Sequence, residues 1–144
     1  MKIYFAGSIS GGREHQDIYF QIVEILKNYG AVLTEHVASQ DLTQMGESAL
    51  SAQAVFQRDL NWIKQADILV AEITKPSLGV GYELAYAESL GKPILCLYNT
   101  QILKANQKVS SVILGNPYMQ VREYRAPLEL AAILEAFVSS QTQA

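Results

Sequence analysis

In the stretch Ile68-Leu-Val-Ala-Glu-Ile-Thr-Lys-Pro-Ser-Leu-Gly-Val-Gly-Tyr-Glu83, a serine, two glycines and a carboxylate stand where an apolar strand gives way to a helix. The junction at a strand's carboxyl end is where open α/β sheets bind ligands. Residues 68–73 are β-branched and apolar enough for a buried parallel strand, Pro76 stops the strand, and residues 83–90 read as helix. In the intervening loop Gly79 and Gly81 would let backbone N–H groups approach a ligand, the helix start would favour an anion, and Ser77 adds a hydroxyl. Such a loop can hold a phosphate while Glu83 aims a carboxylate into the same pocket. Together they suggest chemistry on a nucleotide sugar. The plainer alternative is a Gly-rich turn followed by a glutamate that the helix dipole favours.

A second carboxylate sharpens the choice. A helix over residues 52–65 would carry Phe56, Leu60 and Ile63 on one apolar stripe with Asp59 at its border, either half-buried against a pocket or on the surface beside Arg58. Cleavage of a glycosidic bond commonly uses two carboxyl groups, one as nucleophile and one assisting the leaving group, and Glu83 with Asp59 could be that pair. Tyr4, in the first strand, could hydrogen-bond such a carboxylate or simply pack in the core. Gly7-Ser-Ile-Ser-Gly-Gly-Arg13 forms a second donor-rich turn that opens a helix, which is either an anion site or ordinary capping. His36 ends the second strand and reads as a ligand contact or a structural histidine; His15 is expected on a solvent-facing helix surface. No cluster with metal-ligand spacing appears, so neither metal nor cofactor is expected.

The elements that must position these residues follow a βα repeat. Strand-like runs at 3–6, 31–34, 68–73, 94–98 and 119–122 alternate with helical stretches. Ile18, Ile22, Ile25, Leu26 and Tyr29 recur at helical spacing, and Gly30 is the expected stop. Right-handed crossovers then give a single-domain, doubly wound, five-stranded parallel sheet in the flavodoxin-like order 2-1-3-4-5. Its switch point brings the loops after strands one and three to one crevice. Residues 37–51 read as a loop or loose helix that could act as a lid, and 139–144 as a frayed end.

Composition narrows the setting. With 144 residues, 49% of them apolar, the chain is sized for one domain with its own core. A net charge of −3 with scattered cations argues against a nucleic-acid or membrane partner. Cys96, the only cysteine, lies in an apolar run and reads as a buried strand residue. Without a signal region or long apolar helix, a cytoplasmic protein is the expectation.

Four segments, Tyr4-Phe-Ala-Gly-Ser-Ile-Ser-Gly-Gly-Arg13, Leu33-Thr-Glu-His-Val37, Asp59-Leu-Asn-Trp62 and Pro76-Ser-Leu-Gly-Val-Gly-Tyr-Glu-Leu84, resemble in order and spacing the 2′-deoxynucleoside 5′-monophosphate N-hydrolases, relatives of the nucleoside 2-deoxyribosyltransferases. The resemblance implies a flavodoxin-like homodimer that releases a free base and 2-deoxyribose 5-phosphate. It implies Glu83 as the nucleophile on C1′, Asp59 as the acid assisting the base, and Tyr4 as the residue that orders Glu83. Gly7, Ser8, Ser10, Gly11, Arg13, Ser77 and Gly79 fall at substrate-binding positions, and Ile9 lies near the sugar, where it would leave a 2′-hydroxyl unpaired. A serine reaching in from the partner subunit is matched by Ser110, with Ser111 and Val112 as further candidates. Ser10 stands where animal relatives carry a phosphate-holding arginine, which should weaken phosphate selection unless Arg13 or Lys75 reaches in. Rival readings are a deoxyribosyltransferase, a ribonucleotide (CMP-type) N-glycosidase and a non-catalytic nucleotide-sensing module.

Overall fold

The computed structural model describes residues 1–9, 13–38, 50–103 and 105–143, without the side chains of residues 13 and 14. Ser10, Gly11, the Arg13 side chain and most of the expected 37–51 lid therefore lie outside the described residues.

Five parallel strands, β1 (Lys2–Ala6), β2 (Ala31–Val32), β3 (Ile68–Glu72), β4 (Ile94–Asn99) and β5 (Gln120–Tyr124), lie in the order β2-β1-β3-β4-β5. This is the expected arrangement, and β1 pairs with β3 from Ile3↔Ile68 to Ala6↔Ala71. Every residue of β3 is buried, because helices cover both faces of a parallel sheet. Alternation along the strands divides the core in two. Ile3, Phe5, Val70, Leu95 and Leu97 face helices α1 (Arg13–Leu26) and α5 (Leu130–Thr142). Tyr4, Ala6, Leu69, Ala71 and Cys96 face α2 (Ala52–Gln65) and α3 (Leu78–Ser89). Cys96 is free and buried as expected, and burial pushes its thiol up to about 12. A short helix, α4 (Ser111–Leu114), precedes β5.

Helix boundaries follow local chemistry. Ser51 caps α2 by accepting the Ala54 N–H at 3.1 Å, an interaction worth about 1 kcal/mol. Lys92 donates to the carbonyls of Lys64 and Ala66 at the other end, where a cation complements the helix dipole. Leu90 caps the end of α3, followed by Gly91 at φ 66°, the left-handed conformation that glycine adopts without strain.

Several expectations need correction. β2 is only Ala31–Val32, and His36 sits on a 3₁₀ turn, Glu35–Ala38, rather than at a strand end. α3 begins at Leu78, so Gly79 and Gly81 belong to its first turns and not to a loop. Phe56 does not join the buried stripe of α2; it is exposed and approaches Tyr82. The end is not frayed from 139, since α5 runs to Thr142. Gly30 acts through space rather than as a helix cap: a Cβ there would lie 2.1 Å from the Met1 carbonyl oxygen, where Ala31 N–H donates at 2.9 Å. Gly30→Ala is therefore expected to lower the unfolding free energy by about 1–3 kcal/mol, read as a shift in denaturant midpoint at constant m-value.

Candidate active site

Tyr4 lies on β1, Asp59 on α2 and Glu83 on α3, all three on the α2/α3 side of the sheet. The Tyr4 hydroxyl donates to the Glu83 carboxylate. Burial, followed by the charges of Glu83 and Asp59, pushes that hydroxyl well above the ordinary phenol range, so it remains a donor at any working pH. Tyr4 is thus both core residue and carboxylate partner.

Glu83 is half-buried in the second turn of α3. Burial raises its carboxyl from 4.5 to about 8, and the negative charge of Asp59 adds to the rise. The Tyr4 hydrogen bond and the Arg58 guanidinium pull it back. The Asp59 side chain, 18% exposed, is not a free surface acid. Its Oδ1 accepts from Arg58 Nε at 3.0 Å and Nη2 at 2.9 Å.

Arg58 and Trp62 are the residues that sequence reasoning passed over. The guanidinium stacks on the Trp62 ring at 4.7 Å, the i,i+4 spacing of one helix face, and its Nη2 lies 3.2 Å from His36 Nε2. Guanidinium has only donors, so His36 Nε2 is the unprotonated acceptor. The His36 ring lies 5.6 Å from Trp62. His36 therefore joins the site through Arg58. The i,i+4 Arg–Trp pair was a readable signal; its contact with His36, across 22 residues, was not.

The positions expected to hold an anion lie at two strand ends. After β1, Ser8 is buried and its backbone N–H donates to Tyr19 Oη at 3.0 Å, while a Cβ at Gly7 would come within 2.9 Å of the Tyr19 ring. Ile9 is half-buried beside them. After β3, Ser77 caps α3, its Oγ accepting the Val80 N–H at 3.3 Å. A Cβ at Gly79 would meet only Ser77 Oγ at 3.8 Å among the described residues, so the backbone there stays open to a ligand.

Ser110 stands apart from the carboxylates. With Ser77, Lys75, Lys108, Val109 and Ile113 it lines a cavity of about 460 Å³ that includes none of Tyr4, Asp59 or Glu83. Ser77 and Gly81 border this cavity, whereas Glu83 lies on another side of α3 at 100° per residue. Ser111 and Val112, at the start of α4, are exposed. Among the described residues no three His, Cys, Asp or Glu side chains gather as a metal site would need. None of the described helices is long and apolar enough to cross a membrane.

The family model described as nucleoside 2-deoxyribosyltransferase matches residues 3–119. The chain belongs to this family. As a nucleoside 2-deoxyribosyltransferase family member it is 54% identical over 114 residues to a 5-hydroxymethyl-dUMP N-hydrolase of Rattus norvegicus, covering 78% of this chain and 68% of the relative. It is 42% identical over 146 residues to a 5-hydroxymethyl-dUMP N-hydrolase of Danio rerio, covering 99% of each. Among solved structures, a Clostridium botulinum CMP N-glycosidase superposes with a TM-score of 0.66 at 16% identity, over 94% of this chain and 99% of that one, a likeness of fold.

The raised carboxyl has a thermodynamic consequence. Between pH 4.5 and about 8 the folded chain retains on Glu83 a proton that the unfolded chain has lost. Stability from this group is therefore full below the unfolded value and declines as pH rises through that window. Glu83→Gln removes the titration, so its melting temperature relative to the parent should rise between about pH 5 and about pH 9. A difference that stays flat across the range would contradict the raised carboxyl.

Proposed function

We propose that this chain hydrolyses the N-glycosidic bond of 2′-deoxynucleoside 5′-monophosphates, releasing the free base and 2-deoxyribose 5-phosphate. Glu83 carries the reading: a half-buried glutamate that receives the Tyr4 hydroxyl and stands within the field of a second carboxylate. The names of the relatives, N-hydrolases of a deoxynucleoside monophosphate, support the substrate class.

In this reading the Glu83–Asp59 pair enters the reaction with one proton. Burial and mutual repulsion disfavour two charges, and a nucleophile with an acid needs one proton between them. The Glu83 oxygen, deprotonated, attacks C1′; the C1′–N bond breaks with its electrons on the base, and the proton, passed through Asp59, goes to the base. Water then attacks C1′ of the glycosyl-enzyme, giving its proton to Asp59 while the ester to Glu83 breaks. Tyr4 holds the Glu83 rotamer. Arg58, already paired with Asp59, fixes that carboxylate's orientation. The open start of α3 at Ser77 and Gly79, with Gly7 and Ser8, holds the 5′-phosphate, and Ile9 offers the 2′ position no hydrogen bond.

The site is completed by a second copy of the chain, whose Ser110 reaches the phosphate. One feature supports this composite arrangement: the surface around Ser110 carries exposed apolar side chains, Leu78 at 98% and Val112 at 82%.

A time course of base release from a panel of deoxynucleoside 5′-monophosphates, deoxynucleosides and ribonucleotides, with and without an acceptor base, tests the reading. Release from the deoxynucleotides without an acceptor is expected; release only with an acceptor would make the chain a transferase. Glu83→Ala should abolish turnover with nucleotide affinity largely kept, and retained turnover would remove Glu83 as nucleophile. In the parent, kcat/KM should fall as pH rises through about 8, where the pair loses the one proton that the base must receive, and Asp59→Asn should lower kcat more than it weakens binding.

A further inference from the structure

On the sheet face turned away from Glu83, another carboxylate is buried that the proposed reaction does not touch. Glu72, the last residue of β3, is fully buried. Its Oε1 accepts from the Thr74 N–H at 3.1 Å and from the Thr74 hydroxyl, and the same hydroxyl oxygen accepts the Asn99 N–H at 2.8 Å. Its Oε2 faces His15 Nδ1, in the first turn of α1, at 3.9 Å. His15 is thus not on a solvent-facing surface; its side chain is 12% exposed and its Nδ1 is buried. A buried carboxylate is costly to hold, so its position calls for a reason beyond packing.

The reason lies in what the contacts join. Backbone pairing of β1 with β3 ends at Ala6↔Ala71, before the two segments that carry Ser8 and Ser77. Glu72 bridges them by side chain. On one side, Thr74 is three residues ahead of Ser77. On the other, His15 precedes Tyr19 by one helical turn, with ring centroids 6.3 Å apart. The Tyr19 hydroxyl takes the Ser8 N–H, and its ring fills the space that glycine leaves at position 7. The Glu72 charge also reaches the Tyr19 hydroxyl, which it helps to raise.

We propose that Glu72, with His15, is a positioning pair that couples residues 7–9 to residues 74–77 and so sets the spacing between Ser8 and Ser77 that a substrate phosphate would bridge. The proposal rests on the functional reading above for its kinetic consequence, and on the contacts alone for its structural one. Glu72→Gln and His15→Asn in the full chain test both. In each variant KM for a deoxynucleoside 5′-monophosphate is expected to rise about tenfold with kcat within about twofold, because the chemistry on the other sheet face is untouched. The Ser8 amide should exchange with deuterium about tenfold faster by NMR while amides of α2 keep their rates. Unchanged KM together with unchanged Ser8 exchange would overturn the proposal, as would exchange that quickens uniformly across the sheet or kcat that falls in step with affinity, since these mark a purely structural role. If Glu72→Gln fails to fold, His15→Asn, at a less buried site, decides the matter. If the parent releases no base from any nucleotide, the functional reading fails, and the Ser8 exchange still decides the coupling.

Discussion

The hydrogen bond from Tyr4 to Glu83 is the interaction on which the rest of the site depends. Burial and the neighbouring Asp59 both oppose a charge on Glu83, and the Tyr4 hydroxyl opposes them without bringing a charge of its own. A cation placed directly on Glu83 would favour ionisation more strongly, yet it would also compete for the carboxylate that in the proposed reaction bonds to carbon. The cation in this structure is instead on Asp59, where Arg58 binds through two nitrogens. The two acids are thereby made unequal. Glu83 has a neutral donor, while Asp59 has a charged one, and in the proposed reaction that inequality would let one carboxylate act as nucleophile and the other handle the proton.

Holding Arg58 at Asp59 requires its own support. A guanidinium on an exposed helix would wander among rotamers, but here it is stacked on Trp62 and capped by His36. The imidazole must be neutral to accept, so the cluster ties the state of His36 to the orientation of Asp59. Residues that make no contact with Glu83 thus affect its charge at one remove.

Much of this was legible in the sequence, for identifiable reasons. Apolar runs of strand length separated by helical periods require a parallel sheet, and the right-handed crossover rule leaves few orders for five strands. Tyr4, Asp59 and Glu83 stood out because each was a polar side chain at the edge of an otherwise apolar element. The start of α3 was misjudged because Leu-Gly-Val-Gly is a poor helix former, each glycine costing about 1 kcal/mol relative to alanine. Ser77 capping and the burial of Val80 override that cost. His15 was misplaced because a polar residue near a helix start reads as solvent-facing, and its partner, Glu72, sits 57 residues on inside a run that reads as pure core. Pairings between distant segments leave no periodic trace, and so the Glu72 and His36 contacts appear only once the chain is folded.

The sheet divides the labour between its two faces. Alternation along β1 sends Tyr4 toward α2 and α3 and Phe5 toward α1 and α5; along β3, Ala71 and Glu72 part in the same way. The carboxylates of the proposed reaction, Glu83 and Asp59, gather on one face, and the buried contacts of Glu72 gather on the other. Such a division is open to a parallel sheet because all its strands end at the same edge, so contacts on either face can act on the same loops. A charged side chain in the last position of the central strand is the natural hinge between the two. It is buried on one face, yet its next residues in sequence build the site on the other. This accounts for Glu72 being the polar exception in an otherwise apolar strand: one step earlier or later its side chain would turn to the face that carries Glu83.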